Sequence, residues 1–202
     1  MKQSNKTIII ILVFVAIIGL AAFAYNQLTD NLQLGNNLVI NPPANDDMED
    51  NDYDFLDEDR EVAPDFAVID SHGNQVNLFD FIDGQQPVVV NFWTTWCPSC
   101  VRKMPELESA YEIFGSDVKF MAVNLTDGNR ETKEGAMEFI ETGGFTFPVY
   151  FDIEQSAVSA YGIRSIPVTY FINKNGYITN VHLGAPGLEA FNFEIELLLL
   201  DY

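Results

Sequence analysis

Pro87-Val88-Val89-Val90-Asn91-Phe92-Trp93-Thr94-Thr95-Trp96-Cys97-Pro98-Ser99-Cys100 decides how this chain folds. Its first half is a nearly continuous apolar, β-branched run, the pattern of a strand covered on both faces. Its second half is a Cys-x-x-Cys motif placed where that strand gives way to a helix. From Pro98 to Phe114, apolar residues fall at Val101, Met104, Leu107, Tyr111 and Phe114, three or four apart as one helix face requires. Proline suits the first helical position, where no N–H partner is needed. Pro105, inside the same pattern, predicts a kink.

The strand-to-helix junction has a chemical consequence. A helix N-terminus presents unpaired backbone N–H groups and about half a positive charge, which favours a thiolate over a thiol. Cys97 at the cap receives that help directly, and Cys100, one turn further in, is expected to be more buried. Cys97 is therefore the expected nucleophile, and Cys100 the residue that resolves a mixed disulfide by intramolecular displacement.

Outward from the motif, the pattern alternates strand and helix. A short strand at Phe66 to Ile69, a turn at His72-Gly73-Asn74 and a strand around Gln75 to Leu78 predict an N-terminal hairpin. After the motif helix come a strand at Val118 to Asn124, a polar-faced helix from Glu131 to Glu141 ended by Gly143-Gly144, and a strand at Phe147 to Phe151. A short helix spans Ser156 to Tyr161. Val168 to Ile172 and Tyr177 to Leu183, separated by Asn173-Lys174-Asn175-Gly176, predict an antiparallel pair. An apolar helix from Leu188 to Leu200, too short for a membrane span, closes the domain. The sum is an α/β fold with a central mixed sheet flanked by helices.

Composition bounds the rest. The chain has 202 residues, 48% of them apolar, enough for one well-buried core together with an anchor and a linker. A formal charge of −20 excludes nucleic acid as a natural partner, because that recognition needs clustered Lys and Arg. With only two cysteines, a framework of structural disulfides is excluded too. Residues 1–7 carry Lys2 and Lys6, and residues 8–25 form an uncharged apolar run with no basic residue after it until Arg60. That asymmetry predicts a single-pass signal-anchor helix in the cytoplasmic membrane, N-terminus inside and everything downstream outside. Ala22-Phe23-Ala24 supplies a rival reading, a small-x-small cleavage site that would release the domain as a secreted protein. Residues 26–61, acidic from Asp46 through Asp59, read as a disordered, self-repelling tether, and 62–202 as the globular domain. Asp50, Asp52, Asp54 and Glu61 fall in a calcium-loop register, but Phe55 stands where the sharp turn needs glycine.

Ala63-Pro64-Asp65-Phe66, Asn91-Phe92-Trp93, Trp96-Cys97-Pro98-Ser99-Cys100, Met104-Pro105-Glu106-Leu107 and Ile166-Pro167-Val168-Thr169 together resemble the TlpA and ResA-like branch of the thioredoxin superfamily. The resemblance covers residues 62–202. It implies a thioredoxin-like fold and a bacterial, extracytoplasmic thiol-disulfide oxidoreductase. It further implies a cis proline at Pro167 facing the cysteines, and a substrate shelf built from Ile166 and Pro167, with Trp96, Pro98 and Ser99 beside it. Reducing members of the family act on exported thiols, including those of cytochrome c maturation and thiol repair. They draw electrons from a membrane-embedded thiol transporter, with no cofactor beyond the cysteine pair.

Two departures stand out. Many relatives carry an acidic residue three positions after the second cysteine, where this chain has Lys103, and ordinary thioredoxins bury an aspartate where it has Asn91. Arg102, Lys103 and Arg164 are expected to stand either as a small positive island beside Cys97 or as three solvated charges. Trp93 is expected in the core and Trp96 as a shield over the active site; His72 and His182 are expected at the surface. Zinc would want four ligands where the motif offers two, so no metal is assigned. The alternative function is a Cu(I) metallochaperone using the same thiolate pair. Copper-delivering proteins of this fold space their cysteines more widely and add a nearby histidine, and neither feature is matched.

Overall fold

A computed structural model describes residues 60–200, together with Gly19 and Leu20, which are helical. The rest of the predicted anchor and nearly all of the predicted tether lie outside the described residues. Among the described residues no helix is long and apolar enough to cross a membrane.

Seven strands form one sheet in the order β2-β1-β5-β4-β3-β6-β7. They are β1 (Ala67–Ile69), β2 (Gln75–Asn77), β3 (Val88–Trp93), β4 (Lys119–Asn124), β5 (Val149–Phe151), β6 (Val168–Ile172) and β7 (Ile178–Leu183). The helices are α1 (Pro98–Phe114), α2 (Lys133–Gly143), α3 (Ser156–Tyr161) and α4 (Leu188–Leu200), with a 3-10 turn at Leu78–Phe81. β3 runs parallel to β4 and antiparallel to β6, so the sheet is mixed as expected. The N-terminal hairpin is more than an appendage: Ile69 of β1 pairs with Phe151 of β5, which joins the hairpin to the main sheet.

β3 lies third from the β7 edge, and all six of its residues are buried, which is why its sequence reads as an unbroken apolar run. Its alternate side chains serve two different cores. Val89 and Trp93 face a layer packed by α1, α2 and α4, which includes Met104, Leu107, Ile140 and Phe191. Val88, Val90 and Phe92 face a second layer beneath α3 and the N-terminal segment, with Phe66, Leu78 and Ala157.

Local chemistry sets the helix limits. α2 starts at Lys133 rather than Glu131, because the Thr132 hydroxyl caps it, accepting from the Gly135 N–H at 3.1 Å. It ends at Gly144, whose φ of 69° is the left-handed closure that glycine allows. The buried Asp152 carboxyl accepts from the N–H groups of Ala157 and Val158 at 3.1 and 2.9 Å, satisfying the free donors at the start of α3. α1 continues through Pro105 as one 17-residue helix, the proline lying on its exposed side.

Phe92 touches the rings of Phe66, Tyr161 and Tyr170 at centroid distances of 6.2, 5.6 and 5.9 Å. Phe92→Ala should therefore lower the unfolding free energy by about 3–5 kcal/mol in urea titration. Phe79→Ala, at an exposed site, should change it by no more than about 0.5 kcal/mol.

Candidate active site

The sheet delivers its central strand to the N-terminus of α1, and the cysteines stand at that junction. Cys97 is the N-cap residue, extended at φ −91° and ψ 108°, with Pro98 following in the first turn. A disulfide joins Cys97 to Cys100, their Cα atoms 5.2 Å apart. The Cys100 N–H points at Cys97 Sγ from 3.2 Å, so a free helix donor is spent on the sulfur. Ser99 Oγ lies 3.3 Å from the same sulfur and the Ile166 carbonyl oxygen 3.7 Å from it. Cys97 is 5% exposed and Cys100 fully buried, the order expected from one turn of helix.

Opposite the cysteines, Ile166–Pro167 is a cis peptide. Pro167 is buried and Ile166 half-buried. Trp96 is 41% exposed and carries the Arg130 guanidinium 3.7 Å above its ring. A groove of about 260 Å³ runs past it, lined by Thr94, Trp96, Leu125, Arg164 and Ile166 among others. Trp96, Cys97, Pro98, Ser99, Cys100, Ile166 and Pro167 are thus neighbours in space, although nearly seventy positions separate the motif from the proline.

The loop before the cysteines is held by a residue the sequence pattern did not single out. Glu131 is 1% exposed. Its carboxyl oxygens accept from the Thr95 N–H at 2.9 Å, the Thr95 hydroxyl at 2.7 Å and the Asn124 side-chain amide at 2.6 Å. Glu131 therefore ties the end of β4 to the turn that presents Cys97. Its position at the edge of a polar helix gave no periodic signal, since its role depends on partners brought in by the fold.

Lys103 departs from both expectations set for it. Arg102 and Arg164 are exposed, but Lys103 is fully buried, so the three are not one surface island. The reason is helical spacing: Cys100, Lys103, Met104 and Leu107 occupy the inner face of α1. Its ammonium donates to the Thr169 hydroxyl and lies 4.8 Å from the centre of the Phe191 ring. Thr169 in turn donates to Asn91 Oδ1 at 3.1 Å. Burial pushes the Lys103 pKa down to about 8, against a smaller opposing pull from the Glu106 carboxylate.

His182 also differs from its reading as a surface residue. It stands on the edge strand β7, but its ring packs on Phe171 and its Nε2 lies 3.3 Å from Glu194. His72 is exposed in the hairpin turn as expected. Among the described residues no group of three or more His, Cys, Asp or Glu side chains is placed to hold a metal ion.

Residues 60–181 match the model of the AhpC/TSA family. The chain belongs to this family. It is 34% identical over 136 residues to the thiol-disulfide oxidoreductase ResA of Geobacillus thermodenitrificans, which covers 67% of this chain and 75% of that protein. Against ResA of Bacillus subtilis the identity is 33% over 123 residues, covering 60% and 65% respectively. The crystal structure of StoA from Bacillus subtilis superposes with a TM-score of 0.56 at 26% identity, covering 65% of this chain and 96% of that one. Like these AhpC/TSA relatives, the chain is a thioredoxin-like thiol-disulfide oxidoreductase, and its single Cys-x-x-Cys pair is Cys97 and Cys100.

Two predictions follow from the buried polar groups. Glu131→Ala strands three donors and should cost about 2–4 kcal/mol in chemical denaturation. Glu131→Gln should cost about 1 kcal/mol, since its amide can face the Thr95 hydroxyl, which can turn to accept. For Lys103 the folded pKa lies below the unfolded value of 10.5, so between about pH 8 and 10.5 the unfolded chain holds more protons and stability rises with pH. Lys103→Met should be more stable than the parent at pH 7, and its advantage should shrink by about 3 kcal/mol by pH 11. Denaturant midpoints measured across that range check it.

Proposed function

We propose that this oxidoreductase acts outside the cytoplasmic membrane as a disulfide reductase for exported proteins, with Cys97 as nucleophile and Cys100 as resolving cysteine. The observation that carries the reading is the unequal placement of the two sulfurs. Cys97 Sγ sits at the helix cap, facing the Ile166 carbonyl at the rim of the groove, while Cys100 lies wholly behind it. A client sulfur can approach only the first, and the mixed disulfide so formed is within reach of the second.

In this reading an extended client segment lies along Ile166 and Pro167, with Trp96, Pro98 and Ser99 at its flanks. The apolar run of residues 8–25 anchors the chain, and residues 26–61 give the domain reach. The reductant direction follows the resemblance to reducing ResA-like proteins, with cytochrome c maturation or thiol repair as the settings. A membrane-embedded thiol transporter is then the source of electrons, and the cysteine pair is the whole redox centre.

The reduction potential of the Cys97–Cys100 pair, measured by equilibration with dithiothreitol or glutathione buffers, tests the direction. A value near or below about −270 mV supports an electron donor; one near −120 mV makes the protein an oxidase instead. The division of labour has its own test on non-reducing gels. Cys100→Ser should accumulate a covalent adduct with a disulfide-bonded client peptide, and Cys97→Ser should form none.

A further inference from the structure

The groove beside Trp96 carries charge of the opposite sign to the chain as a whole. Acidic residues outnumber basic ones 30 to 10, yet the exposed Arg164 lines the groove, and the exposed Arg130 lies across the ring of Trp96 at its wall, 3.7 Å from the centroid. Among the described residues neither guanidinium has a carboxylate at ion-pair distance, whereas Lys119 is paired with Asp83 at 2.7 Å. Asp127 is the one carboxylate on the groove, and its Oδ1 is already engaged, accepting from the Asn129 and Glu131 N–H groups at 2.8 and 2.9 Å. Those two bonds, that of Glu131 first, lower its pKa more than Arg130 does. Leu125, Val158 and Ile163, all half-buried, give the groove an apolar lining. The reacting sulfur is close by: Ile166, on the same groove, brings its carbonyl oxygen to 3.7 Å from Cys97 Sγ.

We propose that this groove selects client segments carrying a carboxylate and an apolar side chain close to the reacting cysteine, and that Arg130 and Arg164 are the residues that recognise the carboxylate. The inference deepens the reading of the cysteine pair as an exchange centre for client proteins, and it rests on that reading. In an extended segment successive side chains point to opposite sides, so the second residue from the client cysteine faces the same way as the cysteine, toward this domain. Arginine suits the task because its planar fork holds a carboxylate through two parallel N–H bonds. Stacking on Trp96 positions Arg130 without consuming those donors.

Two electrostatic effects compete at this site, and they favour opposite clients. The chain as a whole, at −20, attracts basic segments and repels acidic ones over long range. The two arginines act at contact. At an ionic strength of about 0.15 M the Debye length is about 8 Å, so the distant carboxylates are largely screened while a direct guanidinium contact is much less so. Contact therefore sets the preference at that salt, and the preference is for acid.

The test uses two leucine-containing peptides, each a dimer joined by one disulfide, that differ only in Glu or Lys at the second position on either side of the cysteine. The reduced full chain, held in detergent, is mixed with each, and each rate constant is divided by that of dithiothreitol with the same peptide, which removes the peptides' own reactivity. The ratio of the two results is then read within one protein, so a change in cysteine reactivity cancels. The proposal expects the Glu peptide to react about tenfold faster than the Lys peptide at about 0.15 M salt. The ratio should fall toward one at about 1 M, where the Debye length is about 3 Å. Replacing both residues, Arg130→Gln with Arg164→Gln, should bring it to one or below at the lower salt. A parent ratio at or below one would overturn the proposal and leave the net charge of the chain in control; so would a ratio that survives the loss of both arginines. Should the double variant fail to fold, Arg164→Gln alone should lower the ratio about threefold, and an unchanged ratio there is equally fatal. A chain that reduces both peptides without preferring Glu refutes the acidic preference alone. One that reduces neither refutes the exchange reading, and this inference with it.

Discussion

A strand with both faces in the core has to end somewhere, and where it ends its backbone must stop being satisfied by neighbouring strands. In this protein β3 meets that constraint by feeding, within four residues, into the N-terminus of α1. The helix brings the opposite problem, free N–H groups without partners. Cys97 solves the second problem at the site of the first: its sulfur takes the Cys100 N–H, so the atom that can react is also the atom that caps. The sheet order, the packing of α1 over it and the approach of the Ile166–Pro167 loop all serve to hold this one junction in place.

Around the junction the protein buries two kinds of polar group, and they act differently. Glu131 is saturated with donors and works as a brace, fixing Thr95 and so the entry to the cysteines. Lys103 is under-compensated, reached by one hydroxyl and an aromatic face. Burial with so little compensation lowers the Lys103 pKa, because the charged form loses more solvation than its partners restore. Glu131 thus braces the loop before the disulfide, while Lys103 lies in the core on the inner face of the helix that follows it.

The elements that could be read from sequence are those whose signal is local. β3 shows its burial as Val88 to Trp93, and α1 shows its limits through Pro98 and a periodic apolar face. β6, α3 and α4 likewise match their expected bounds, since turn residues flank them. The Cys97 and Cys100 motif and its loop at Ile166–Pro167 could be placed from residue patterns and family resemblance together. What escaped were properties that exist only after folding. Lys103 reads as a surface charge until the inner face of α1 is counted from Cys100 and Leu107. Glu131 reads as a solvated helix start until Asn124 and Thr95 arrive from elsewhere in the chain. His182 lies on the expected edge strand, yet Glu194 of α4 and Phe171 cover it.

The sheet has an open flank on the β7 side. Glu61 and Val62 guard its start, through the bond from the Ile178 N–H to the Glu61 carbonyl and the bridge between Val62 and Tyr177, but residues 179–183 have no strand beyond them in the described sheet. Val181 and Leu183 add exposed apolar side chains to that rim. Such a rim is a template on which a second molecule could stack. The excess of acidic residues, a formal −20 over the chain, supplies colloidal protection by making every close encounter of two copies a repulsive one. That net charge thereby keeps a partly uncapped sheet dispersed, and concentrated salt would screen the protection while leaving the apolar core intact.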